Sequence, residues 1–128
     1  MPAIIRIPHH TTGSAPEAVA SERLVAGTPM QTVANAYSDA GNAFHCGVWE
    51  GDVGAWRVSY AEHEFCHLLS GCVRLRGDDG NDGNDVTLRA GDSFVIPAGF
   101  EGIWEVVEPA RKLYAVYEPE PDDRHGLG

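Results

Sequence analysis

The chain has 128 residues, of which 43% are hydrophobic, and a formal net charge of -10 at pH 7. This length fits one domain, and the hydrophobic content is sufficient for a packed core. A nucleic-acid-binding protein needs a basic surface that displaces counterions, and an anionic membrane would repel an acidic chain. We therefore expect neither a nucleic acid nor a membrane as a partner.

The three cysteines are odd in number and have no C-x-x-C spacing, which is typical of reduced thiols. No apolar run approaches the ~20 residues needed to cross a bilayer, and the first residues do not resemble a secretion signal. These observations predict a cytoplasmic protein.

Residues 1–30 show little regular pattern, and we interpret them as an irregular N-terminal arm. Within the arm, residues 4–7 predict a short edge strand that ends at Pro8. Residues 15–24 predict a short helix, because Ser14 could cap it and Pro16 and Glu17 suit its first turn.

Residues 31–118 contain short runs of β-forming residues separated by turn residues. A spacing of about ten residues per strand is typical of an all-β sandwich or barrel. The Gly-, Asp- and Asn-rich segment 77–85 predicts a hairpin tip rather than a calcium loop, since an EF-hand would need Glu where Arg89 or Ala90 stands. Residues 119–128 predict a flexible tail. The predicted strands are 44–50, 56–60, 65–69, 72–76, 86–88, 94–97, 103–107 and 112–117.

Two glycine-containing motifs lie within this region. Glu64 is followed after six residues by Gly71, and Gly91 is followed after five residues by a Pro-x-Gly sequence at 97–99. Glycine allows sharp turns at strand ends, and proline interrupts strand pairing. With residues 104–112, these motifs resemble the ureidoglycine-aminohydrolase-like domains of the cupin superfamily over residues 47–117. The resemblance implies a single-domain, all-β jelly-roll barrel (a double-stranded β-helix) preceded by the N-terminal arm.

The same resemblance implies where a cupin metal would bind. The four ligand positions correspond to Val58, Tyr60, Glu64 and Gly102, and of these only Glu64 is a strong metal ligand. A single carboxylate does not hold Mn²⁺, Fe²⁺ or Zn²⁺ in competition with water. We therefore expect no metal at this site and no other cofactor.

Strand alternation predicts which side chains face the barrel interior. If Glu64 faces inward, Cys66 faces inward with it, whereas His63 and His67 face outward and cannot join Glu64 as ligands. Counting from Gly102 along its strand places Trp104 inward, and the position of Tyr60 in the motif places its phenol on the same side. A neighbouring carboxylate should raise the pKa of the Cys66 thiol, which predicts a poor nucleophile.

Arg111 and Lys112 are adjacent on the last predicted strand, so one of them should face inward. The number of residues in the turn at 108–110 decides which one, and the sequence leaves this open. An inward cation near Glu64 could anchor an anionic or polar ligand, or could form a structural ion pair. The predicted ligand pocket comprises Tyr60, Glu64, Cys66, Trp104 and Lys112.

Three hypotheses for the function follow. The first is metal-independent binding of a small polar metabolite inside the barrel. The second is an enzyme of ureidoglycine-aminohydrolase-like or related hydrolase or isomerase chemistry, with Glu64 as the candidate catalytic base. The third is a structural dimer module with a vestigial pocket. Unpaired barrel edges and the N-terminal arm favour a homodimer in each case.

Overall fold

A computed structural model describes residues 1–119 of the chain as an all-β structure. The short edge strands are β1 (Glu17–Ala18) and β2 (Leu24–Ala26), followed by β3 (Met30–Ser38), β4 (Phe44–Gly51) and β5 (Gly54–Ser59). The second half contains β6 (His63–Gly77), a 3₁₀ turn at Asp82–Asn84, β7 (Asp85–Arg89), β8 (Ser93–Ile96) and β9 (Glu101–Tyr117). No helix within residues 1–119 is long and apolar enough to cross a membrane.

The two long strands β6 and β9 pair antiparallel along most of their length and form the centre of a curled sheet. The other edge of β9 pairs with β5 along its first part and with β4 along its second part. The other edge of β6 pairs with β8 near its start and with β7 near its end. β3 then extends the sheet beyond β4. This arrangement confirms the predicted all-β cupin barrel.

The interior of the barrel is filled by alternate residues of the central strands, as the period of two requires. Cys66 and Leu68 on β6 and Trp104 and Val106 on β9 are almost completely buried. Aromatic packing continues from Trp104 to Trp49 on β4, with ring centroids 5.6 Å apart and nearly perpendicular planes. The core therefore occupies the concave side of the β6–β9 pair.

Two predictions for the N-terminal arm were wrong. Residues 4–7 form no strand, and residues 15–24 form no helix but contain β1 and the first residue of β2. β1 pairs with β3, and β2 pairs with β5, so the sheet edges override the local helix signals. The arm is attached further by Thr11, whose backbone N–H and hydroxyl both donate to the Glu50 carboxylate. Of the predicted tail, 119–128, all but Pro119 lies outside the described residues.

The predicted turns at Gly71 and at 108–110 do not end the strands. Residues 65–69 and 72–76 belong to the single strand β6, and 103–107 and 112–117 belong to β9. The pairing register shifts between Leu68 and Val73, so the ladder contains bulges that bend both strands. Gly71 has a φ of 87° at this bend, and a Cβ there would collide with the Pro109 carbonyl.

We predict that Gly71→Ala destabilises the protein by about 2–4 kcal/mol. Alanine is strained at the positive φ of this position, and its Cβ would also collide with the Pro109 carbonyl. Urea denaturation measures this change. Gly80→Ala is the matched control, since Gly80 also has a positive φ of 72° but no atom within 4 Å of an added Cβ. The control should lose only about 1 kcal/mol. Equal losses in both variants would contradict the proposed role of the bulge.

Candidate functional site

A cavity of about 460 Å³ opens on the concave side of the sheet, between β3, β4, β6 and β9. It is lined by alternate, inward-facing residues of these strands and by Tyr60, which follows β5. Apolar and aromatic side chains form much of its wall, and a few polar groups converge on it. The lining residues are Val33, Asn35, His45, Trp49, Tyr60, Glu64, Lys112, Tyr114 and Val116.

A buried ion pair lies at the base of this cavity. Lys112 Nζ donates to Glu64 Oε2 over 3.0 Å, and the two residues are only 5% and 7% exposed. The pair joins β9 to β6, the two central strands. Lys112 Nζ also lies 4.3 Å from the ring centroid of Trp104 and 5.1 Å from that of Trp49, so cation–π contacts complete its surroundings.

The ionisable groups around this pair hold their protons tightly. Burial raises the pKa of the Cys66 thiol to about 12, and Glu64 adds to the shift although Lys112 opposes it. Burial also raises the pKa of Tyr60. Thiol and phenol are therefore neutral near pH 7. Burial opposes the charge on Lys112, but its interactions with Cys66, Glu64 and Tyr60 outweigh burial and raise its pKa.

A second polar group lies on the cavity wall beside the ion pair. Tyr114 on β9 donates its hydroxyl proton to Asn35 Oδ1 on β3, over 2.7 Å. The two side chains reach across Gly47 on the intervening strand β4, which is the register partner of both. A Cβ at Gly47 would lie 2.8 Å from the Tyr114 hydroxyl oxygen, so glycine permits this contact. Burial raises the pKa of Tyr114 to about 12, which keeps its proton available for the bond.

Hydrogen bonds continue from Asn35 towards the rim of the cavity. Asn35 Nδ2 donates to the Tyr37 carbonyl over 3.2 Å and to Ser38 Oγ over 2.9 Å. Ser38 Oγ lies 2.7 Å from His45 Nδ1, and His45 Nε2 lies 3.1 Å from the Asn42 carbonyl. Because a carbonyl only accepts, the neutral His45 ring carries its proton on Nε2, and Ser38 donates to Nδ1.

The structure brings the five predicted pocket residues together in two layers. Tyr60, Glu64 and Lys112 line the cavity. Cys66 lies beneath them, with its Sγ 3.6 Å from Lys112 Nζ, and Trp104 packs against the same ammonium group.

The choice between the two adjacent cations is settled by the structure. Lys112 faces inward, whereas Arg111 lies 2.9 Å from His10 of the arm through its Nη1. His63 and His67 face outward, as predicted. His63 Nδ1 accepts a hydrogen bond from the Ala98 backbone, and His67 bonds to Ser93.

The sequence did not predict Asn35, His45 and Tyr114 as cavity residues. Tyr114 could have been found, because alternation from an inward Lys112 places residue 114 on the same face. Asn35 and His45 had no such signal, since no motif predicts which side chains of β3 and β4 face the barrel interior.

The residues at the usual cupin metal positions do not fit a metal ion. The carboxylate of Glu64 already faces the Lys112 ammonium. Val58 offers no ligand atom, and a Cβ at Gly102 would collide with the Arg76 carbonyl, so no histidine fits there without rearrangement. Within residues 1–119, no three His, Cys, Asp or Glu side chains are grouped as a metal site. That the protein binds no metal stays a prediction, which metal analysis of the purified protein tests.

A second cavity, of about 490 Å³, lies beside the 77–85 hairpin. Its acidic residues include Asp78, which is paired with Arg57 while both side chains remain more than 40% exposed. Because its charged groups are solvated, this groove lacks the convergent buried polar groups of the barrel cavity. The barrel cavity is therefore the candidate site.

Comparison with known families agrees with this architecture. Residues 38–114 match the model of the EutQ-like cupin domain, which covers more than half of the chain. The chain belongs to the EutQ-like cupin family. The finer resemblance to ureidoglycine aminohydrolases is not confirmed by this match and stays a prediction. No curated protein matches the chain.

Several solved structures share the fold at low sequence identity. A protein of unknown function from Pseudomonas syringae, of the DUF861 family, is 22% identical over 84% of this chain, with a TM-score of 0.71, but the match spans only 46% of its own length. The EutQ protein of Clostridium difficile is 18% identical over 73% of this chain and 66% of its own, with a TM-score of 0.60. A putative ethanolamine utilization protein Q from Salmonella typhimurium is 15% identical over 82% of this chain and 95% of its own, with a TM-score of 0.60.

We predict that Lys112→Met destabilises the protein by about 3–5 kcal/mol, because it leaves the Glu64 carboxylate buried without a counter-charge. Adding Glu64→Gln to this variant removes the uncompensated charge and should recover most of the loss. Urea denaturation of the two single variants and the double variant measures the coupling. The control is Arg74→Met, which breaks the exposed Arg74–Asp85 pair and should cost under about 1 kcal/mol. A double variant no more stable than Lys112→Met would contradict this account.

The raised pKa of Cys66 predicts a specific pH dependence. Between pH 9 and pH 10 the unfolded thiol loses its proton while the folded thiol, with a pKa of about 12, keeps it. Since the folded state then binds more protons, stability falls as pH rises, by up to about 1.4 kcal/mol per pH unit for one group. Urea denaturation at these pH values should show a shallower decline in Cys66→Ala than in the native protein. Parallel declines would show that the thiol ionises equally in both states.

Proposed function

We propose that this protein binds a small polar metabolite in the barrel cavity and that it does so without a metal ion. The observation that carries the proposal is the buried Glu64–Lys112 pair at the base of the cavity. A buried ion pair costs several kcal/mol of desolvation and is often replaceable by apolar residues without loss of stability. Its presence beside a cavity therefore favours a role in recognition.

The cavity also has the size and composition of a small-molecule site. Its volume of about 460 Å³ lies within the range of roughly 300–1,000 Å³ for such sites. Trp49, Val33 and Val116 provide apolar contact, and Tyr60, Glu64 and Tyr114 provide polar atoms for orientation. A ligand held there would be fixed by hydrogen bonds against an aromatic wall.

The enzyme hypothesis receives less support from the same geometry. The Cys66 thiol, with its pKa near 12, stays protonated at neutral pH and is a poor nucleophile. One oxygen of Glu64 is engaged by Lys112, and within residues 1–119 no histidine contacts the pair. The arrangement favours holding a molecule over transferring its protons.

We expect a panel of small polar metabolites, tested with chelator-treated protein, to contain a compound that raises the melting temperature in a concentration-dependent way. Val116→Trp, which fills the cavity, should abolish this shift. Val107→Trp is the matched control, because Val107 lies on the same strand but is exposed outside the cavity, and it should retain the shift.

Two results would contradict the proposal. One is the absence of any stabilising compound across the panel, which would favour a structural module with a vestigial pocket. The other is an equal shift in both tryptophan variants, which would place the compound elsewhere on the molecule.

A further inference from the structure

We propose that the barrel cavity selects an uncharged ligand rich in N–H or O–H donors, such as a primary amide, a urea or a polyol, and rejects anions despite its inward lysine. This inference rests on the proposed binding function and specifies its ligand class. It follows from which polar atoms of the wall already have hydrogen-bond partners.

The ammonium group of Lys112 has little capacity left for a ligand. One contact goes to Glu64 Oε2 over 3.0 Å and another to Cys66 Sγ over 3.6 Å. The indole rings of Trp104 and Trp49 cover further directions around Nζ. Only 5% of the residue is exposed. An anion entering the cavity would therefore gain no free ammonium protons.

The other donors of the wall are also engaged. Tyr114 donates its only hydroxyl proton to Asn35, and both amide protons of Asn35 go to Tyr37 and Ser38. In the neutral ring of His45, the single N–H is directed to the Asn42 carbonyl. The indole N–H of Trp49 donates to Gln31 over 2.9 Å. A ligand that needs protons from the protein thus finds few of them.

Lone pairs remain on the same wall. The phenol oxygen of Tyr114 donates its proton to Asn35 but can still accept. The remaining acceptor capacity of the Glu64 carboxylate is shared with Tyr60 and Cys66, which lie beside it. The Tyr60 hydroxyl has the Glu64 carboxylate as an acceptor for its proton, so its oxygen remains as an acceptor on the cavity wall. Acceptors therefore outnumber free donors, and the complementary ligand is one that donates.

The paired charges at the base of the cavity favour a ligand without net charge. Glu64 and Lys112 compensate one another, so the base of the cavity is neutral overall. An anion would be repelled by the carboxylate, and a cation would be repelled by the ammonium, each at short range in a partly desolvated space. An uncharged donor meets neither penalty.

Three probes of nearly equal size test this inference: propanamide, propanoate and propylammonium at pH 7. Binding is followed by NMR through the indole N–H signals of Trp49, Trp56 and Trp104. We expect propanamide to shift the Trp49 signal and to bind at least about tenfold more tightly than either ion, a difference of about 1.4 kcal/mol. Trp56 does not line the cavity, so its signal should change least.

The variant Glu64→Gln tests the charge argument directly. It preserves side-chain size but leaves Lys112 without its counter-charge, so propanoate should bind more tightly than to the native protein and the preference for propanamide should shrink or invert. Glu108→Gln removes one exposed carboxylate from the same strand as Lys112 and should leave the native order unchanged. The dispersion of the three indole signals shows whether each variant is folded.

The outcomes separate this inference from the proposed function. Tighter binding of propanoate or propylammonium to the native cavity would overturn the ligand class while supporting a binding site. The absence of a Trp49 shift with all three probes would overturn the ligand class as well. A metabolite that still stabilised the native protein but not Val116→Trp would then leave the binding function standing.

Discussion

The arrangement of the candidate site depends on one interaction, the buried ion pair between Glu64 on β6 and Lys112 on β9. These strands are the only two that run through both halves of the described sheet, and the pair crosses between them on the concave side. Because each charge would be costly to bury alone, neither side chain can leave without the other. The pair thus fixes the base of the cavity and orders the indoles, the thiol and the phenol around it.

Glycine residues let polar side chains meet above this base. Gly47 lies between Asn35 and Tyr114 in the register of three strands, and the absence of a Cβ lets their side chains bond over it. Gly71 and its left-handed φ place a bulge beside the same central pair of strands. The cavity therefore depends on residues that contribute no functional group of their own, and the motif glycine at 71 shapes the bend of β6 rather than its end.

The sequence predicts the barrel and the inward face of β6 because both follow from short-range rules. The spacing from Glu64 to Gly71 marks the family, and the period of two carries the inward facing from Glu64 to Cys66. The choice between Arg111 and Lys112 could not be predicted, since a bulge changes the parity of the strand and bulges leave no reliable local signal. Likewise, Asn35 enters the site only through pairing between distant strands. The N-terminal segment 15–24 has a plausible helix start, yet pairing with β3 and β5 decides its conformation.

Glu64 stands at a position where the cupin resemblance places a metal ligand. In a metal-binding cupin this carboxylate would bind a cation from solution. In this chain its counter-charge is the side chain of Lys112 on β9. A bound metal offers open coordination positions and can polarise a ligand, but an ammonium surrounded by a carboxylate, a thiol and two indoles offers neither. Lys112 therefore stabilises the site, but its ammonium group is not free to bind a ligand. For the proposed binding function, this leaves hydrogen-bond acceptors in an aromatic cavity, which is why we propose a ligand that supplies the protons.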